Sequence, residues 1–342
     1  MKTNRRRFVL GSVASLSALV LSRPSFVAAQ TPALKISHQF PGGTLIEGDF
    51  RDRLCRKFAA EVTAKTKGAL KFEVYPGSSL MKVNTQFASM RRGALDLSLV
   101  PLSYAGGEVP ETNIGLMPGL VTSYEQAYSW KTAEVGKLLT QILADKGIVI
   151  VSWIWQAGGV ASRAKPLVAP EDAKGMKVRG GSREMDMILK QAGASVLTLP
   201  SNEIYAAMQT GAMDAGMTSS TSLISFRLEE VSKALTTGRK FAYWFMFEPL
   251  LISKQIFDKL PQDQQAAIMA VGADMEKFAL AEAKADDAAV ASLYAKAGAK
   301  VVDLDEPTVK KWQAIARETA WKDFAGKSES CAKLLAAAIK TL

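Results

Sequence analysis

The chain has 342 residues, of which 48% are apolar and 22% charged; this is the balance of a globular protein long enough for two ordinary domains, which excludes a disordered tract or a coiled coil as its main feature. Two cysteines make no disulfide framework, and the single histidine, His38, leaves almost no material for a His/Cys metal site or a Ser-His-Asp triad. The formal charge of +10 sits partly in residues 1–29, which hold five basic groups and no acid, so the rest carries +5, interspersed with acids as in Asp49-Phe50-Arg51-Asp52-Arg53 rather than gathered into a phosphate-binding stripe.

The opening Asn4-Arg5-Arg6-Arg7-Phe8-Val9-Leu10 is a charged start followed by a short apolar stretch to Leu21, and Val27-Ala28-Ala29 precedes Gln30. That order is a signal peptide with cleavage after Ala29, and Arg-Arg-x-Phe resembles a twin-arginine export signal. The general secretory route and an uncleaved N-terminal anchor are the alternatives. Export predicts a periplasmic protein, and no later stretch is apolar for long enough to span a membrane.

Residues 35–37 begin a strand, and Phe40-Pro41-Gly42-Gly43-Thr44 leads into a helix over 49–67. Phe50, Leu54, Phe58 and Val62 recur every fourth residue on one face of it, and Gly68 follows as a stop. Leu70, Phe72 and Val74 alternate with Lys71, Glu73 and Tyr75 in the next strand, which Pro76-Gly77 closes. A helix carrying Val83, Phe87 and Met90 and a strand over 95–100 complete a β-α-β-α-β unit, hence a parallel sheet. The pattern then restarts with a helix over 124–146, a strand over 148–155, a strand over 176–179, a helix over 183–191, a strand near 194–197, a helix ending near Gly211, and a strand over 213–217. Beyond about residue 263 the chain is Ala-rich helix, interrupted near Val301-Val302-Asp303-Leu304. No Gly/Ser/Pro linker separates the two α/β units, so the chain crosses between them through regular elements, as hinged clefts do.

Catalytic motifs are missing. Gly180-Gly181-Ser182 lacks the third glycine of a dinucleotide loop, and no Walker, His-Glu-x-x-His, Gly-x-Ser-x-Gly or Cys-x-x-Cys pattern occurs, so no cofactor, metal or enzymatic role has an anchor residue. Cys55 and Cys331 could be bridged if their Cα atoms come within about 7 Å, or be two packed thiols.

The stretch from Pro170 through Lys177-Val178-Arg179-Gly180-Gly181-Ser182, followed by Leu199-Pro200-Ser201-Asn202-Glu203-Ile204-Tyr205 and Gly211-Ala212-Met213-Asp214-Ala215, carries more information. Read with Tyr75-Pro76-Gly77-Ser78-Ser79-Leu80 and Gly93-Ala94-Leu95-Asp96, it resembles the substrate-binding proteins of tripartite ATP-independent periplasmic (TRAP) transporters, the DctP-like family, over nearly the whole chain beyond the leader. The resemblance implies an α/β, two-lobed periplasmic binding protein fold with a hinged cleft and a long bridging helix. Lobe I is then 30–156 with 244–284, and lobe II 157–243 with 285–342. It further implies an organic acid as ligand, and as partners the small and large membrane subunits of a TRAP permease rather than nucleic acid.

In that family the arginine of the Lys-x-Arg strand pairs with the ligand carboxylate, which assigns the role to Arg179; a planar guanidinium meets a carboxylate with two parallel hydrogen bonds. Other family contacts fall on Gln39, Ser182, Ser201 and Thr218, all able to hydrogen-bond. Where some relatives carry a second arginine this chain has Gly159, which favours a monocarboxylate; Arg163, four positions on, is read as a solvated surface residue. Trp153 and Trp155 at one crossing, and Tyr243, Trp244, Phe245 and Phe247 at the other, are core or cleft aromatics. Trp155, Trp244 and Tyr104 are taken as cleft candidates, implying an aromatic or a 2-oxo or 2-hydroxy acid. Glu203 and Asp214 are expected to brace loops and His38 to be buried and hydrogen-bonded. An exported enzyme, or a binding lobe serving a sensor or an ATP-driven importer, are the competing readings.

Overall fold

A computed structural model describes residues 33–342, so the expected signal peptide lies outside the described residues. The described strands are, in chain order, β1 (Leu34–His38), β2 (Phe72–Tyr75), β3 (Leu97–Leu99), β4 (Ile148–Ser152), β5 (Trp155–Gln156), β6 (Gly158–Ser162), β7 (Lys177–Arg179), β8 (Ser195–Val196), β9 (Ala215–Ser219), β10 (Ala234–Thr237), β11 (Met246–Phe247), β12 (Leu250–Ser253) and β13 (Lys300–Asp303).

They form two sheets. One has the order β2-β1-β3-β12-β4, the other β13-β10-β6-β9-β7-β8, and β5 pairs with β11 as a ribbon of two strands. The first three strands are parallel, as their β-α-β-α-β order requires. β12, arriving from the far half of the chain, enters antiparallel between β3 and β4, so the sheet is mixed.

Helix Phe50–Lys65 buries Phe50, Leu54, Phe58 and Val62 as their spacing requires. It begins at Asp49, whose carboxylate accepts from the Arg51 N–H. Helix Arg183–Gln191 has the expected bounds and is capped by the Ser182 hydroxyl. The helix expected over 124–146 is instead two, Tyr124–Ser129 and Glu134–Asp145. The fully buried Trp130 indole, edge-on to Trp155 and donating to Thr341 Oγ1 at 3.0 Å, anchors the chain at the break. The strand expected over 148–155 stops at Ser152 and resumes as β5, and Tyr243, Trp244 and Phe245 precede β11 rather than forming a strand.

Gln262–Lys296, a single helix about 52 Å long at 1.5 Å per residue, joins the two halves. It packs on helix Phe50–Lys65 and β4 on one side of the molecule, and on helix Ser220–Ser225, β10 and β13 on the other. Its approach to β4 needs Gly272: a Cβ there would lie 2.3 Å from the Val151 carbonyl oxygen, and the Gly272 carbonyl accepts from Ser152 Oγ at 2.7 Å. The last helix, Glu329–Ile339, packs on helix Glu134–Asp145 and on the turn Pro110–Leu116. The chain end expected in lobe II therefore rests on elements of the first half, held there by Trp130 and by the Lys340–Glu134 ion pair. Cys55 and Cys331 are both free and buried. Among the described residues no helix is long and apolar enough to cross a membrane.

Candidate functional site

Arg179 ends β7, and its side chain is 3% exposed. Nε donates to the Leu199 carbonyl at 3.0 Å, Nη1 to the Met217 carbonyl at 2.6 Å, and Nη2 to the Tyr104 hydroxyl oxygen at 2.8 Å. A guanidinium has five N–H donors; three are used by neutral acceptors, and one on each terminal nitrogen remains. Among the described residues Arg179 forms no ion pair. A buried cation without a counter-ion is costly, and the two remaining donors have the spacing of a carboxylate. Gly181 lets the guanidinium lie flat against the loop: its φ is +95°, and a Cβ would stand 2.6 Å from Nη1.

Tyr104 reaches this arginine from the other half of the chain. It sits on a short 3-10 turn, Leu102–Ala105, just after β3. Its oxygen also accepts from the Ser201 N–H at 3.0 Å. Two further bonds cross the same gap, Ser103 Oγ to the Gly181 carbonyl at 3.3 Å and Ser182 Oγ to the Leu116 carbonyl at 3.1 Å. The structure therefore has the two halves in contact around Arg179. Beside it is a cavity of about 340 Å³, whose walls include Tyr104, Asn113, Gly181, Ser182, Asp186 and Thr198.

Of the expected site residues, Arg179, Tyr104, Ser182 and Ser201 are brought together by these bonds. Gln39 is buried just after β1, and neither polar atom of its amide has a partner among the described residues. Thr218 is buried on β9 opposite Gly159. Trp155 is buried against Trp130 and Phe247, with its indole nitrogen unpartnered. Trp244 is buried with its ring against Gly158, where a Cβ would meet it at 2.4 Å. Neither tryptophan lines the cavity.

The other crossing aromatics each meet a ring: Trp153 meets Phe247 (4.7 Å between ring centroids), Phe245 meets Tyr124 (4.9 Å) and Tyr243 meets Trp312 (5.2 Å). Five of the six crossing aromatics are thus packed on other rings, Trp244 is buried against Gly158, and Tyr104 is the aromatic residue on the cavity. A side chain at Gly159 has no room, since its Cβ would lie 2.3 Å from the Thr236 carbonyl oxygen. Arg163 is exposed, as expected. Asp214 braces a loop by accepting from the Lys177 N–H at 2.8 Å. Glu203 does not: it is exposed and makes no capping bond. His38 is buried; its Nδ1 accepts from the Phe40 N–H, and its Nε2 donates to Asp52 at 3.1 Å.

Sequence reasoning passed over a second buried cluster at the crossing. Arg51 is fully buried, paired with Asp49 at 2.7 Å and Glu248 at 3.1 Å, and lies over the Phe40 ring at 3.6 Å. It also donates to Ser222 Oγ at 3.1 Å and Ser219 Oγ at 3.4 Å, next to Thr218. Glu248 accepts from Gln156 Nε2. Burial lifts the Glu248 carboxyl to about 7 even beside Arg51, because that guanidinium is shared with Asp49. A lone acid in the apolar run Phe245-Met246-Phe247-Glu248-Pro249-Leu250 was the available signal, as was Arg51 four residues before Cys55 on the buried face. Asp186, on the cavity wall, is also raised by burial, to about 6; the Gly180 N–H and nearby Arg179 pull the other way.

A family model described as "Bacterial extracellular solute-binding protein, family 7" (DctP) matches residues 47–327. A solute-binding protein of Albidiferax ferrireducens is 73% identical over 338 residues, covering 99% of this chain and 100% of its own. The crystal structure of a TRAP periplasmic solute-binding protein from Rhodoferax ferrireducens, with bound malonate, superposes with a TM-score of 0.89 at 76% identity, covering 90% of this chain and 98% of that one. The C4-dicarboxylate-binding periplasmic protein DctP of Rhodobacter capsulatus is 26% identical over 82% of this chain and 83% of its own.

Proposed function

The chain belongs to the family 7 bacterial extracellular solute-binding proteins, the DctP family, and from that premise we propose that it is an exported periplasmic receptor that captures a small organic monocarboxylate and hands it to the membrane subunits of a TRAP permease. The observation that carries this reading is the charge balance of the cleft. Two arginines are buried among the described residues; Arg51 is neutralised by Asp49 and Glu248, whereas Arg179 has two spare donors and no carboxylate in ion-pair contact, Asp186 being near but not bonded to it. One carboxylate completes it, and Gly159 leaves no room for a second cationic side chain at its position.

Arg179 binds the carboxylate, Tyr104 and Ser201 close over it, and Gln39, Ser182 and Thr218 supply polar contacts from the surrounding strands. With five of the six crossing aromatics packed on other rings, the cleft suits a compact 2-oxo or 2-hydroxy acid rather than an aromatic one. The lobes are taken as 33–156 with 244–284, and 157–243 with 285–328, the end of the chain resting on the first. The leader over 1–29 is taken as a signal peptide of twin-arginine type. Closure is a population shift, because the contacts of Tyr104 with Arg179 and Ser201 exist only when both lobes meet.

A compact diacid is the second reading, favoured by the malonate in the structure of the Rhodoferax ferrireducens protein. Titration calorimetry on the chain from Gln30 onward, with lactate, pyruvate, glycolate, malonate, succinate and benzoate, separates the two. Micromolar binding of a compact monoacid supports the first, and selective binding of malonate the second. Turnover of a bound acid, or binding of none, contradicts both.

A further inference from the structure

Strand β7 carries a basic residue at each end, Arg179 at the cleft and Lys177 at the far edge of the second sheet. That far edge is a continuous basic row. The Lys300 N–H donates to the Lys233 carbonyl at 2.9 Å, and the Lys233 N–H to the Ser162 carbonyl at 2.8 Å. Next to Ser162, the Arg163 N–H donates to the Asp214 carbonyl at 2.9 Å, and the Asp214 N–H to the Lys177 carbonyl at 2.8 Å. β13, β10, β6, β9 and β7 thus all begin or end here, and at about 4.8 Å between strands the row is about 19 Å wide. Lys165 shares a cavity wall with Arg163 and Asp214, and Lys174 lies in the turn that leads into β7.

These six basic side chains are exposed, and none is in an ion pair among the described residues. The acids around them are engaged. Asp214 is half-buried, its Oδ2 accepting from the Lys177 N–H at 2.8 Å. Asp172 accepts from the Val168 and Ala169 N–H groups, Glu171 is paired with Lys311 and Glu230 with Arg227, and Glu229 is half-buried. Lys190 and Lys296 flank the row in the last turns of helices Arg183–Gln191 and Gln262–Lys296, where the helix dipole accounts for a cation. Strand ends carry no such dipole, and like charges side by side repel one another.

We propose that this edge of the second sheet is a docking surface for a bilayer that carries anionic headgroups. It rests on the exported, membrane-side placement proposed above and not on the role of Arg179. Lipid is favoured over protein by what the row lacks: none of the exposed large apolar side chains among the described residues stands in it. Protein interfaces are built around apolar and aromatic anchors and are poor in lysine. A charged lipid surface needs no anchor, because it attracts every cation that comes within a Debye length of it. The attraction holds the receptor loosely beside the membrane, with Arg179 and the cleft at the opposite end of β7.

The test is flotation of the mature chain with vesicles of phosphatidylcholine alone, or of phosphatidylcholine with about 30% phosphatidylglycerol, at low and at physiological salt. The unmodified protein is expected to float with the anionic vesicles at least about tenfold more than with the neutral ones at low salt, and less so as salt is added. Net positive charge alone draws a protein to anionic lipid, so two charge-reversed proteins are compared. One carries Lys177→Glu, Lys233→Glu and Lys300→Glu; the other makes the same change in net charge at exposed lysines elsewhere, Lys137→Glu, Lys259→Glu and Lys277→Glu. The first should lose at least about tenfold of the association and the second less than about threefold. Both should melt within a few degrees of the unmodified protein and bind acids as it does, since neither set touches the cleft. Equal loss in the two variants, or no preference for anionic vesicles in the unmodified protein, overturns the proposal and leaves the acid-binding reading intact. Capture by permease membrane subunits in a neutral bilayer, lost in the first variant and without any preference for anionic lipid, assigns the edge to an acidic protein face and also overturns it.

Discussion

Replacing Tyr104 by Phe removes one oxygen and leaves the ring in place. That oxygen accepts from the Arg179 guanidinium at 2.8 Å and from the Ser201 N–H at 3.0 Å, and both donors come from the opposite lobe. A hydrogen bond to a charged group is worth about 1.5–3 kcal/mol net and a neutral one about 0.5–1.5 kcal/mol. Both are lost only from the closed form, because in an open form water serves the same groups, so the closed state weakens by about 2–4 kcal/mol. Apparent affinity scales with the population of the binding-competent state, and each 1.4 kcal/mol is a factor of ten; the expected loss is therefore about 30-fold to several hundred-fold for every acid the protein binds. Titration calorimetry gives the affinity. Small-angle scattering at saturating acid gives the closed fraction, which should fall, while the melting temperature of the unliganded protein stays within a degree or two. Affinity within twofold of the unmodified protein would refute the coupling of closure to Arg179.

Gly181→Ala should abolish tight acid binding in a folded protein, because its φ of +95° is strained for Ala and its Cβ would meet Arg179 Nη1 at 2.6 Å; near-normal affinity by calorimetry would contradict the packing described. Glu248 makes a pH prediction. Its folded carboxyl is raised to about 7 from an ordinary value of 4.5, so between those limits the native state holds a proton that the unfolded chain has released, and Glu248's share of stability falls as pH rises through that window. Melting temperatures of the unmodified protein and Glu248→Gln, compared at pH 5 and pH 8, should move in the variant's favour at the higher pH, and the opposite trend would show that the Arg51 pair dominates.

Local pattern carried much of this fold to view. The alternation in Phe72–Tyr75, the fourfold spacing in Phe50–Lys65 and the Ser182 cap were readable because each depends on neighbours in sequence. So was the parallel pairing of β1, β2 and β3, which follows from connection lengths. What escaped depends on distant partners. Arg51 looks like one charge in an exposed alternating run until Glu248 and Ser222, 197 and 171 residues away, bury it. Trp130 breaks its helix because Trp155 and Thr341 receive it. The crossing aromatics read equally well as cleft or core, and only distant rings show that Trp153, Trp155, Tyr243, Phe245 and Phe247 are packed. Within the site, the resemblance pointed to Arg179, Ser182 and Ser201, and a tyrosine in a Ser-Tyr-Ala-Gly-Gly loop pointed to Tyr104.

Whether Arg179 is the anion site of the cleft is decided by Arg179→Ala, titrated with the tightest acid found for the unmodified protein. Truncating one partner of a desolvated charge pair costs about 2–5 kcal/mol, so the dissociation constant should rise by about 30-fold to several thousand-fold in a protein that still folds. An Arg179→Ala protein that binds the acid within threefold of the unmodified one would contradict it.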